Sequence, residues 1–191
     1  MLPQAFHGTK KRQVLSESIH SEAGTFHNSR SRTLRALAAN PRAIILLAPV
    51  LFWAHIMEES VGGFMRWYNS VVLVPLPESG FVTANLQPLE ITVVLAAAAA
   101  WIRRKEPAFL LLLWLSYYVF GNAIFHVTAI VALHRYCPGL ITALALYLPY
   151  YFWYTRYLRT SLSMQPVTIA IVSALAVGLE YLRWHNDLFK N

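Results

Sequence analysis

The stretch Ala43-Ile-Ile-Leu-Leu-Ala-Pro-Val-Leu-Phe-Trp-Ala-His55-Ile-Met-Glu58-Glu59-Ser-Val-Gly-Gly63 decides how the chain is to be read. From Ala43 to Ala54 it holds no ionisable side chain, and at about 1.5 Å per residue the whole stretch crosses a hydrocarbon core of about 30 Å. Its second half nevertheless carries His55, Glu58 and Glu59. A charged group at the centre of a bilayer costs about 2.5–3.5 kcal/mol on insertion scales, so such groups are kept there for a reason. On a helix, Glu59 lies about 40° around from His55 and Glu58 about 60° the other way. One imidazole and two carboxylates thus share an arc of about 100°. The stretch predicts a membrane-spanning helix with a polar, functional face.

The composition agrees with lipid as the solvent. Of 191 residues, 57% are hydrophobic and 13% charged, against roughly 45–50% and about 25% in ordinary soluble domains. Mean hydropathy is +0.43. So few charges cannot cover a water-facing surface, which excludes the soluble enzyme and soluble binding-module classes. Further apolar runs at about 81–102, 108–133, 138–158 and 166–183 bring the spans to about five. The expected fold is all-α, a polytopic membrane helical bundle of about five transmembrane helices over residues 43–191, after a flexible basic tail over 1–42. Residues Gly62 to Gly80, with Gly62-Gly63, Arg66-Trp67-Tyr68 and Pro75-Leu-Pro77, suit an interfacial or re-entrant excursion rather than a span. Cys137 is the lone cysteine, so an intrachain disulfide, a CxxC zinc site and a redox pair are excluded.

Charge placement sets the expected partners and orientation. The tail holds Lys10, Lys11, Arg12, Arg30, Arg32, Arg35 and Arg42 against Glu17 and Glu22. Its cations are dispersed and lack aromatic interleaving, so anionic lipid headgroups rather than nucleic acid are the expected partner. The tail also lacks the apolar centre of a secretory signal. With the N-terminus cytoplasmic, Arg103, Arg104, Lys105, Arg156 and Arg159 join the tail on the inside, and only Arg66, Arg135, Arg183 and Lys190 fall outside. That bias predicts an integral, multi-pass protein with its N-terminus in the cytoplasm.

Two other expected spans carry polar groups at comparable depth. Asn122 and His126 are four residues apart and share one helix face. Glu90 follows the helix-breaking Pro88. With the inner helix ends level, His55, Glu90, Asn122, Glu59 and His126 fall about 18, 18, 21, 24 and 27 Å along their helices. If these faces turn inward they form one site in the outer half of the bundle. Imidazoles and carboxylates without thiolates suit iron, manganese or zinc. His55, Glu58, Glu59, Glu90, Asn122 and His126 are therefore the candidate ligands of a divalent metal, iron or zinc, in a mononuclear or dinuclear site. Bundled di-iron proteins use Glu-x-x-His pairs; here the order is reversed and occurs once.

These motifs, followed by Tyr136-Cys-Pro138-Gly139, make residues 44 to 160 resemble the HXXEE-domain family of small membrane proteins. The marks of that family are HxxEE, a later NxxxH and a YxPG. The resemblance implies His55, Glu58, Glu59, Asn122, His126, Tyr136, Pro138 and Gly139 as site positions. It implies an enzymatic activity without naming the reaction.

Several residues admit a plainer reading. His55, Glu58 and Glu59 would also suit a helix end emerging early into water beside Arg66, and His126 alone would read as a core histidine. Tyr136 and Pro138-Gly139 suit a simple turn. The aromatic run Tyr147, Tyr150, Tyr151, Phe152, Trp153, Tyr154 and Tyr157 suits an interfacial belt, with Tyr147 the member deep enough to face the site. His134 and Arg135 are candidate substrate or interface residues, and Glu180 is a reserve ligand. Glu58, Tyr136 and Tyr147 are the candidate catalytic groups, a carboxylate free of metal serving as general base. The leading expectation is a metal-dependent membrane enzyme acting on a lipid or small hydrophobic molecule by oxidative di-iron or hydrolytic zinc chemistry. The alternatives are a small permease or proton- or ion-conducting subunit, and a non-catalytic subunit of a homo-oligomer or larger membrane complex.

Overall fold

Pro49 shapes the entry to the first apolar helix. Its ring favours a first helical turn but leaves the carbonyl four residues earlier without a donor. The chain therefore turns once, from α1 (Pro41–Ile45) through residues 46–47 into α2 (Ala48–Gly62). The orphaned Ile45 carbonyl accepts instead from the Tyr150 hydroxyl, at 3.1 Å. Gly63, in the left-handed region at φ 73°, ends α2.

The computed structural model describes residues 40–188 except 73, 74, 76, 78, 79 and 103, without the side chains of 82 and 183–188. The tail expected to meet anionic lipid therefore lies outside the described residues, apart from its last three. Arg103, Lys190 and the side chain of Arg183 lie outside them too. The helical unit runs from Arg42. Past α2 it comprises α3 (Phe64–Asn69), α4 (Gly80–Trp101) and then α5 (Lys105–Leu115), which continues through π1 (Ser116–Gly121) into α6 (Asn122–Leu133). A second continuous helix runs as α7 (Leu140–Thr142), π2 (Ala143–Tyr147) and α8 (Leu148–Ser161), before α9 (Pro166–Leu188). Among the described residues the fold is all-α, a helical bundle without strands.

Among the described residues, three helices are long and apolar enough to cross a membrane: Pro41–Gly62, Thr83–Trp101 and Lys105–Leu133. They fall on the first three expected spans. The expected 138–158 and 166–183 are also helical, but Pro166–Leu182 is shorter and the second half of Leu140–Ser161 is polar, with Arg156 and Arg159.

Hydroxyl groups tie the helices together. Ser116 of π1 shares a 2.7 Å hydrogen bond with Tyr151, whose hydroxyl lies 2.6 Å from Ser173 of α9. The Tyr154 hydroxyl donates to the Ala108 carbonyl at 2.9 Å. Trp114 donates to Thr92 at 2.8 Å, and Thr92 donates to the Pro88 carbonyl at 2.7 Å. This corrects the expectation of an aromatic belt. Tyr147, Tyr150, Tyr151 and Tyr154 are buried, because an apolar core lacking water can satisfy carbonyls and hydroxyls only with one another. Phe152 alone of that run is exposed.

The excursion after Gly63 also turns inward. Trp67 and Tyr68 of α3 are buried with Phe125, Ala129 and Cys137, closing one end of the bundle over α6.

Tyr150→Phe removes the one donor that reaches the Ile45 carbonyl from outside its own helices. A buried acceptor left unpaired costs about 1–3 kcal/mol, so this variant is expected to melt below wild type in detergent, as read by circular dichroism. Phe152→Leu, on the exposed face, is expected to melt with wild type.

Candidate metal centre

The three residues that converge come from two helices. α2 presents His55 and Glu59 one turn apart, and α6 presents His126 across from them. Glu59 Oε1 lies 3.3 Å from His55 Nε2 and 3.2 Å from His126 Nε2. All three residues are buried, at 3, 4 and 0% exposure for His55, Glu59 and His126. Their ligand atoms lie within 4.8 Å of one another, forming a group that could hold a metal ion.

The outer faces of the imidazoles set which atoms point inward. The Thr142 hydroxyl lies 2.7 Å from His55 Nδ1 and 3.2 Å from the Gly139 carbonyl. The Cys137 sulfur lies 3.1 Å from His126 Nδ1 and 3.7 Å from the Pro138 carbonyl. With both ring protons on Nδ1, toward Thr142 and Cys137, both Nε2 lone pairs face the Glu59 carboxylate; in that tautomer the three acceptors repel one another and a cation relieves the repulsion. A histidine whose outer N–H is held by a fixed acceptor is the usual arrangement of a metal-bound imidazole.

Glu58 lies outside this group and points to the segment after α6. Its Oε1 accepts from the Tyr136 hydroxyl at 2.9 Å, Gly139 N–H at 3.2 Å and Ile141 N–H at 3.1 Å. Its Oε2 accepts from Thr142 N–H at 2.7 Å. These N–H groups open α7, where helix ends have no internal partners and favour negative charge. Glu58 is in effect a cap supplied by another helix. The Tyr136 phenol is pushed up to about 12, by burial first and then by its hydrogen bond to Glu58 and that carboxylate's charge, so it stays a donor at neutral pH.

Two glycines permit this docking. A Cβ at Gly62 would stand 2.8 Å from Pro138 Cβ. Gly139, at φ 101°, lies so close to the site that a Cβ would meet His126 Cε1 at 2.5 Å and Glu59 Cγ at 2.9 Å. Tyr136-Cys-Pro138-Gly139 is therefore a turn, as its plainer reading had it, and also the seat of the histidines. Cys137 and Thr142, which hold the two Nδ1 atoms, were not singled out as site residues. The signal for Thr142 was available three residues past Gly139, at the N3 position of the next helix.

The other candidates separate. Asn122 and Tyr147 line one cavity with His55 and Glu59, as does Glu180. The Tyr147 ring stacks beside His55 with centroids 4.4 Å apart. Glu90 is exposed on α4, so it does not join the group although Pro88 lines the cavity. His134 takes the left-handed conformation that ends α6, and both it and Arg135 are exposed outside the cavity wall.

Gly139→Ala is expected to lower the melting temperature and displace His126, since the left-handed backbone and the overlap each cost about 1 kcal/mol or more. Cys137 gives a second check. It is fully buried, and burial, then the carboxylates of Glu59 and Glu58, push its thiol well up. Because the thiolate is the reactive form, maleimide is expected to spare Cys137 in the folded protein and label it fully in denaturant.

No curated protein and no solved structure matches the chain. The model of one family, described as "Protein of unknown function with HXXEE motif", matches residues 46–154. That match takes in the triad, the Glu58 cap and the turn that seats both histidines, and by it the chain belongs to the HXXEE family.

Proposed function

We propose that the protein is a metal-dependent membrane enzyme with one divalent ion held by His55 Nε2, His126 Nε2 and the Glu59 carboxylate. The observation that carries this reading is the convergence of three buried ligand atoms, with Thr142 and Cys137 behind the Nδ1 atoms of the two histidines. Two histidines and one carboxylate with further positions open form a set used by zinc hydrolases and by mononuclear iron oxygenases. A dinuclear iron site would require carboxylate ligands beyond Glu59. Glu58 is engaged by the α7 terminus and Glu90 is exposed, so one ion is the better reading. Such an ion, when bound, lowers the pKa of a water or polarises a substrate oxygen.

The chain's own groups supply the rest. Thr142 and Cys137 fix the ring orientations, and Glu58 holds the segment that bears them. Phe64, Phe125 and α3 close the site from one end and exclude water, which strengthens every charge interaction inside. The cavity beside the triad is mainly apolar and lies within a bundle suited to lipid, which favours a lipid or small hydrophobic substrate. Tyr147, whose hydroxyl is buried and unpartnered, is the group placed to donate a proton to a bound oxygen.

Elemental analysis of the full chain purified in detergent tests this. Wild type is expected to carry about one zinc or iron per chain, lost in His55→Gln, Glu59→Gln and His126→Gln that remain folded by circular dichroism. Retention is expected to fall as pH drops below about 6.5, because only neutral imidazole ligates. Metal-free wild type after reconstitution with zinc and with iron would overturn the reading and leave a proton-sharing triad, as in a conducting subunit.

A further inference from the structure

From Thr83 to Trp101, α4 is long and apolar enough to cross a membrane, yet it carries Glu90 on its outer face. The helix ends at Trp101, and Arg104 and Lys105 follow, so this end meets the membrane surface. At about 1.5 Å per residue Glu90 then lies about 16 Å inward from Trp101, near the middle of a hydrocarbon core of about 30 Å. It also points away from the bundle. At about 100° per residue, the buried Thr92, Ala96 and Ala99 lie about 180–240° around the helix from Glu90, which is itself exposed. Gln87, also exposed, sits about 60° from Glu90 and one turn away, and the exposed Val94 and Trp101 continue the same face. Among the described residues neither Gln87 nor Glu90 has a side-chain hydrogen bond or an ion pair. On α9, by contrast, every exposed residue from Val167 to Leu179 is apolar or glycine, as a face turned to lipid requires.

We propose that this face of α4 packs against α4 of a second copy of the chain, in a parallel dimer where Gln87 of each copy hydrogen-bonds Glu90 of the other. This rests on α4 crossing the bilayer and not on the metal. Polar side chains in hydrocarbon are costly, and a hydrogen bond across a helix pair offsets that cost. The stripe is self-complementary. Gln87 supplies amide N–H donors and Glu90 supplies carboxyl acceptors. Helical side chains lean toward the N-terminus of their own helix, which carries Glu90 toward the level of Gln87 in a facing copy. Two copies of one chain enter a membrane in the same orientation, so like levels meet, and a twofold interface repeats every contact. One Gln–Glu pair thereby becomes two, and Val94, one turn further along, meets its own copy. Neither Gln87 nor Glu90 lines the cavity beside the triad, so the interface and the metal site are separable by mutation.

Sedimentation equilibrium of the full chain in density-matched detergent tests this. Wild type is expected to sediment as a dimer. Gln87→Leu combined with Glu90→Leu places apolar side chains on an exposed face, so the fold is kept, and dimerisation is expected to weaken roughly tenfold with the melting curve of wild type. Oxidation with copper phenanthroline gives an independent reading. Val94→Cys is expected to cross-link as a dimer, whereas Ile171→Cys, exposed on α9, is expected to give no more than wild type, whose Cys137 is buried. A wild type that stays monomeric at every protein-to-detergent ratio would overturn the proposal and assign the stripe to a different partner. So would a double variant that dimerises as tightly as wild type, or equal cross-linking from Val94→Cys and Ile171→Cys. Metal content, measured on the same samples, separates the two ideas: metal without a dimer defeats this inference alone, and a dimer that stays metal-free after reconstitution defeats the metal reading alone.

Discussion

The hydrogen bonds gathered by the Glu58 carboxylate hold the site together. A phenol and three backbone N–H groups of residues 136–142 converge on it. The Gly139 and Thr142 N–H groups are part-buried, where a donor left unpaired costs about 1–3 kcal/mol, and the Tyr136 and Ile141 contacts lie at the exposed edge. The same contact fixes three other things at once. It places Cys137 behind His126, Thr142 behind His55, and Gly139 against both His126 and Glu59. The adjacent carboxylates of one motif thus divide their work: Glu59 faces the histidines, and Glu58 holds the frame that orients them.

The two π segments lie where the site and its cavity are built. π1 precedes Asn122 and His126, and π2 ends at Tyr147. Single π turns inside α-helices are often found at functional sites, because the extra residue re-aims the side chains that follow. At Gly121, within π1, a Cβ would fall 3.6 Å from both the Ala176 carbonyl and Glu180 of α9, an ordinary contact, so the packing of the wide turn on α9 does not require glycine there. Phe64 of α3 lies against His126, and Phe64, Met65 and Tyr68 line the cavity together with Pro88. Pro88 has no N–H for the Ala84 carbonyl, and both residues line that space.

Much of this was legible in the residues. The apolar runs and scarce charges pointed to a helical bundle, and among the described residues three of the runs are helices long and apolar enough to cross a membrane. His55, Glu59 and His126 stood out because each is ionisable within an apolar stretch. The aromatic run of α8 misled, since alternation of rings and hydroxyls at a helix end resembles an interfacial belt. Its tyrosines point inward because Ile45 and Ala108 carbonyls and the Ser116 and Ser173 hydroxyls need partners that lie far away in sequence.

Sequence by itself determined the helical class and the cost-bearing residues, because hydropathy and helical period act over neighbours along the chain. It could place Glu58 and Glu59 on one arc but not separate them. That separation follows from about 100° of helical rotation per residue meeting two different neighbours, the imidazole of α6 on one side and the bare N-terminus of α7 on the other. Likewise Glu90 and Glu59 have similar depth by arithmetic, yet one is exposed and one buried, since depth follows from rise per residue whereas facing follows from which helices pack. Only the tertiary structure decided those neighbours, and with them which carboxylate meets the histidines.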